Sequence, residues 1–156
     1  MKDVIDLGNK LDYFYFERMN QNDGKYQFLS SPTIKRTKNS YTIYDDEGKV
    51  ASKLNFYDYT NIQNFDWILV SDLDTKEKYR NRGLASKLLK TLYHDITKTK
   101  NKGLYMFVKV DNKSAIKLYL KLGFKKLKNY KIKDEKYVIM VKGDYDTSQF
   151  DNMNFS

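Results

Sequence analysis

Cysteine is absent from the 156 residues, which removes disulfides, thiol nucleophiles and thiolate metal sites together. Histidine occurs once, at His94, so no multi-histidine zinc site can be built, and any Ser-His-Asp relay would have to run through that residue. Proline also occurs once, at Pro32. No apolar run approaches the roughly 18 residues needed to cross a bilayer. The first residues, MKDVIDLGNKLDYFYFERMN, lack an uninterrupted apolar signal region. These absences lead us to expect a soluble, cytoplasmic protein without membrane or metal partners.

Arginine is scarce as well: only Arg18, Arg36, Arg80 and Arg82 accompany the lysines, within a total of 29 cations against 20 acids. The net charge of +9 is unevenly spread. Residues 1–75 carry 9 basic and 12 acidic side chains, residues 76–142 carry 20 and 5, and residues 143–156 carry none and 3. The middle segment is thus the part of the chain built to meet anions.

Patterning places the elements. Tyr41–Tyr44 and Val50–Tyr57 flank a turn at Asp45-Asp46-Glu47-Gly48 and read as a hairpin. Trp67–Leu73 reads as a central strand because its apolar run is nearly unbroken. Leu84, Ala85, Leu88, Leu89, Leu92, Tyr93 and Ile96 recur at helical spacing, with Lys87, Lys90, Thr91 and His94 assigned to a solvated face. Leu104–Val110 reads as a second buried strand. Asn112 then caps a short helix carrying Ala115, Leu118, Tyr119 and Leu122, ended by Gly123. Phe124–Ile132 and Tyr137–Val141 close the pattern as a hairpin. Tyr13–Phe16 and Lys25–Ser31 are candidate extended pieces. The expected fold is α/β (α+β), a mixed sheet of six or seven strands in one domain over 1–142, followed by a frayed acidic polar tail over 143–156.

The chemistry concentrates at Arg80-Asn81-Arg82-Gly83-Leu84-Ala85-Ser86, a strand-to-helix junction. A helix start offers about four unpaired N–H groups and the positive end of the dipole. Small Gly83 and Ala85 let a bulky anion approach the backbone, and Arg80, Arg82 and Lys87 add charge. This suits a diphosphate. Walker A and dinucleotide fingerprints are excluded, since their Gly and Lys positions are missing.

Farther on comes Asn112-x-x-Ala115-x-x-Leu118-Tyr119-x-x-x-Gly123-Phe124. Together with SDLDTKEKYRNRGLASKLL (Ser71–Leu89), this string resembles the GCN5-related N-acetyltransferase (GNAT) family over residues 65–142. The resemblance implies a sheet splayed at a site for acetyl-CoA. It implies pantetheine contacts from the backbone of Leu73, Asp74 and Thr75, and pyrophosphate binding by Arg80, Asn81, Arg82, Gly83, Leu84, Ala85 and Ser86. It further implies a cofactor contact from Asn112, and Tyr119 beside the thioester sulfur as general acid. The sequence departs from the family pattern at Thr75, where an apolar residue is usual, and at Glu77, where Pro is frequent. At Ser71 some members place a catalytic Glu. Asp72 next to it is the candidate base, with a water chain as the alternative.

The amine acceptor must lose its proton before or during attack, which a base of pKa near 7 or desolvation accomplishes. A backbone N–H of the central strand can stabilise the oxyanion. Tyrosine at about 10 lies roughly 1.5 units above a thiol at about 8.5, so full proton transfer from Tyr119 costs about 2 kcal/mol. Nearby cations would narrow that gap. The absence of Cys favours direct transfer in a ternary complex. The implied partners are acetyl-CoA and an unidentified amine, with a homodimer also open. Lys113, Lys117, Lys121, Lys125, Lys126, Lys128, Lys131 and Lys133 exceed what CoA requires. They keep a second class open: a regulatory or nucleic-acid-associated protein on the same fold, or a toxin-like enzyme acting on aminoacyl-tRNA. Acceptor specificity is expected in residues 13–40 and 128–137.

Overall fold

In the computed structural model, residues 33–58 and 65–151 are described. They form strands β1 (Ile34–Arg36), β2 (Ser40–Tyr44), β3 (Val50–Tyr57), β4 (Trp67–Thr75), β5 (Gly103–Lys109), β6 (Lys125–Ile132) and β7 (Glu135–Lys142). Helix α1 spans Leu84–Lys100 and α2 spans Lys113–Lys121. The seven strands make one mixed sheet in the order β1-β2-β3-β4-β5-β7-β6. This is the expected α/β architecture, with boundaries within a few residues of those read from the pattern. The candidate pieces at Tyr13–Phe16 and Lys25–Ser31 lie outside the described residues. No described helix is long and apolar enough to cross a membrane.

Two compact units divide these residues. The described part of the first comprises 33–55 and Asp72–Leu92. Its β2–β3 hairpin turns where expected. Asp45 Oδ1 accepts from the amides of Glu47 and Lys49, each at 2.9 Å, and Gly48 supplies a φ of 79°. Ile34, Ile43, Leu54, Leu84, Leu88 and Leu92 are buried.

Lys87 and Thr91 are buried too, which corrects their assignment to the solvated face of α1. At 3.6 residues per turn, Thr91 falls only about 20° from Leu84 and Lys87 about 60°. Their angular position, not their polarity, decides the face. His94 is exposed, as expected.

The second unit holds residues 56–58, 65–71 and 93–151 of the described chain. Here β4 and β5 pair in parallel from Trp67↔Gly103 to Leu69↔Tyr105, and the pairing ends there although β4 runs on to Thr75 and β5 to Lys109. Strand β5 continues against antiparallel β7, from Leu104↔Lys142 to Lys109↔Tyr137. A Cβ on Gly103 would lie 2.7 Å from the Lys142 carbonyl oxygen and 2.7 Å from the Trp67 ring, so only glycine lets the strands close. Phe65, Trp67, Tyr105, Ile139, Val141 and Phe150 form the buried cluster of this unit.

Residues 143–151 are packed rather than frayed, another correction. Phe150 is 1% exposed, Trp67 Nε1 donates to the Asp146 carbonyl at 3.1 Å, and Gln149 exchanges hydrogen bonds with Asp66 at 3.0 and 2.8 Å. Two aromatics, Tyr145 and Phe150, dock a segment whose composition is otherwise polar.

Candidate active site

In the first unit the end of β4 is fixed from several sides. Lys76 N donates to the Ala51 carbonyl at 2.9 Å, and Ser52 Oγ bonds the Asp74 carbonyl at 3.3 Å and Thr75 Oγ1 at 2.8 Å. Ser52 is fully buried, so the Thr75 hydroxyl supplies the polar partner that an apolar residue there would deny it. Glu77–Tyr79 makes a single 3₁₀ turn. Buried Tyr79 donates to Asp45 Oδ2 at 2.7 Å, tying the hairpin turn to this loop. Burial pushes the Asp45 carboxyl up, but bonds from Tyr79 and from the Lys49 and Glu47 amides outweigh it and hold the group below its usual range. Asp45 was not anticipated from the sequence; the one usable signal was an aromatic, Tyr79, inside a charged loop.

Arg80 folds back so that its Nε donates to the Thr75 carbonyl at 3.0 Å. Asn81 (φ 63°) and Gly83 (φ 80°) then adopt left-handed backbone, the conformation Asn and Gly tolerate best. The first helical bond is Lys87 N to the Gly83 carbonyl at 2.9 Å. The amides of Leu84, Ala85 and Ser86 therefore make no bond within the helix, and the first turn holds no acid. Nothing lies within 4 Å of where a Gly83 Cβ would sit. Bare N–H groups, open space and no negative charge fit a diphosphate.

Of the three cations expected around this loop, only Arg80 is exposed. The Arg82 and Lys87 side chains are buried, which corrects the expectation that they add charge at the surface and leaves Arg82 its backbone for an anion. Asp72 is exposed and its Oδ2 accepts from Asn55 Nδ2 at 3.4 Å; Ser71 is exposed as well. Leu73 is half-buried and Asp74 exposed, 3.8 Å from Lys76 Nζ.

In the second unit Asn112 caps α2, its Oδ1 accepting from Ala115 N at 3.2 Å and Ser114 Oγ at 3.3 Å. That leaves its amide N–H groups to contact a ligand. Tyr119 is half-buried, its ring 6.0 Å from that of Phe124, and its carbonyl accepts from Phe124 N at 2.9 Å. Burial pushes the Tyr119 hydroxyl up. The shift runs opposite to the cation effect anticipated, so Tyr119 is suited to donating a hydrogen bond to a developing thiolate rather than surrendering its proton.

A model of the FR47-like protein family matches residues 59–132. Solved structures share the fold. One is a GNAT-family protein from Bordetella pertussis, 15% identical with a TM-score of 0.56, the match covering 67% of this chain and 65% of that one. Nourseothricin acetyltransferase is 20% identical with a TM-score of 0.55, covering 74% and 68%. The NatC complex bound to Gag peptide and CoA matches at 15% identity with a TM-score of 0.58, over 93% of this chain and 84% of that one. The chain thus spans slightly less than two thirds of the Bordetella protein. The family model covers just under half of the chain, and the solved structures show that the described residues share the fold of GNAT acetyltransferases.

Proposed function

We propose that the protein transfers an acetyl group from acetyl-CoA directly to a primary amine, acting in the cytoplasm. The observation that carries this reading is the loop between β4 and α1. Its three free amides follow two left-handed residues, with room beside Gly83 and no acid in the first helical turn. The amides of Arg82–Ser86 and the exposed Arg80 hold the diphosphate, and the backbone of Leu73, Asp74 and Thr75 orients the pantetheine arm. Bound acetyl-CoA supplies the activated acyl group and a thiolate leaving group. Asn112 positions the cofactor from the cap of α2, and the Tyr119 hydroxyl donates to the sulfur. Asp72 takes the ammonium proton, directly or through water; with exposed Ser71 beside it, the amine enters an aqueous, carboxylate-bearing strand end.

Support for CoA comes from the family match and from the CoA-bound NatC structure. At a hundredfold excess over its Kd, a ligand adds about 2.7 kcal/mol of stability. In a chain of this length that raises Tm by about 5–10 °C. Acetyl-CoA should produce that shift, and Tyr119→Phe should keep it while lowering CoA release about ten- to hundredfold across an amine panel. An unchanged Tm at millimolar acetyl-CoA would overturn the assignment.

A further inference from the structure

Within the second unit a cavity of about 480 Å³ opens between α2 and the β6–β7 hairpin. Val110, Ile116 and Val138 provide its apolar lining; Lys126, Lys131, Lys136 and Asn129 provide the polar one. No carboxylate lines it. Lys131 and Lys136 stand directly opposite each other in the antiparallel register. Like charges so placed lie about 5 Å apart at Cβ and are destabilising. Among the described residues neither has an ion-pair partner, whereas nearby Lys109 is bound to Glu135 at 2.9 Å.

A simpler account of lysines on β6 exists: it is the last strand of the sheet, and lysine on an edge strand deters edge-to-edge pairing. That account covers Lys125, Lys126 and Lys131. It does not cover Lys136, which lies on the inner strand β7, nor Lys113, Lys117 and Lys121 on α2. Nor does it explain a direct lysine pair in the lining of one cavity.

We propose that this cavity binds a nucleotide phosphate, free or within a single strand of nucleic acid. Lys131 and Lys136 hold the phosphate between them and Lys126 adds a third ammonium. The base lies on Ile116 and Val138, with the Asn129 amide able to donate to and accept from its edge. The volume accommodates a whole nucleoside monophosphate. The surrounding α2 lysines extend the positive surface along a strand.

The test is fluorescence anisotropy with two probes, a labelled 12-nucleotide RNA and labelled AMP, at 50 and 200 mM KCl. Each neutralised phosphate contributes about 0.7 to the salt slope on single strands. K131A/K136A removes one phosphate contact and should reduce the RNA slope by about 0.7 and weaken both probes about tenfold or more. Its Tm should not fall, because the variant removes a repulsive pair. K113A/K117A should weaken the RNA only. RNA binding much tighter than AMP identifies the strand as ligand, and equal affinities identify the free nucleotide. The proposal is overturned if neither probe binds, if both double variants weaken both probes alike, or if saturating CoA displaces them.

Discussion

Phe150→Ala tests whether the residues after β7 belong to the folded body. Phe150 is 1% exposed, and its ring lies 4.9 Å from that of Tyr105, 5.4 Å from Trp67 and 5.7 Å from Phe65. A phenylalanine buries about 150–250 Å², worth about 4–6 kcal/mol at 25 cal/mol/Å² as an upper bound. Measured Phe→Ala changes in cores run about 3–5 kcal/mol. We expect about 4 kcal/mol, or a fall in Tm of about 8–16 °C for a chain of this size. Trp67 is the only tryptophan, and its indole N–H is bound to the Asp146 carbonyl. Its emission therefore responds to the packing of this segment. A chain stopped after Lys142 should show red-shifted native emission and at least the same loss of stability by circular dichroism. A Tm change below about 3 °C with unchanged emission would refute the packing argument.

Gly83→Val should preserve the fold yet abolish the acetyl-CoA thermal shift, because a β-branched residue resists the 80° φ although no atom would clash with it. Asn112→Ala should cost about 1 kcal/mol, or about 3 °C in Tm, through loss of the α2 cap. Asp58 accepts from Lys100 at 2.8 Å and Lys102 at 2.9 Å. Burial pushes its carboxyl up, but the two lysines prevail and hold it below its usual range. Asp58→Asn should therefore destabilise by about 2 kcal/mol at neutral pH, less in high salt since Lys100 is partly open to solvent. A lowered carboxylate stabilises above its unfolded pKa of about 3.9 and loses that contribution as pH falls through the folded value. The gap between the two proteins' denaturation curves should start to narrow as pH falls below about 4 and close only below the lowered folded value; a gap that does not narrow with falling pH would contradict the assignment.

Alternating and helical spacings made the sheet and both helices readable, because the apolar positions of each element share one face, fully buried in most of them and half-buried at most in α2 and β6. Asn112 and Gly123 announced the ends of α2 through local chemistry alone. Polarity misleads where angular position decides which side chains are buried. Lys87 and Thr91 lie on the buried arc of α1, and Arg82 turns inward from a loop that reads as surface. Phe150 was hidden by its polar neighbours, since one anchoring ring leaves no periodicity. The Asp45–Tyr79 and Asp66–Gln149 bonds join residues 34 and 83 positions apart, and no local pattern encodes such pairings. At the candidate site, the left-handed turns at Asn81 and Gly83 were foreseeable from residue type. The upward push on Tyr119 depends on burial that only the packed chain supplies.

The Asp66–Gln149 and Trp67–Asp146 bonds also set an order of assembly during synthesis. Strand β4 emerges early, yet its first residues are sealed only by residues made some eighty codons later. Until then the Trp67 and Tyr105 side of the sheet lacks its Phe150 cover, a state in which chaperones find exposed aromatics. Ribosome-stalled chains released from the exit tunnel only to Lys142 should be cleaved near Trp67 by limited protease, and chains released past Asp151 should resist.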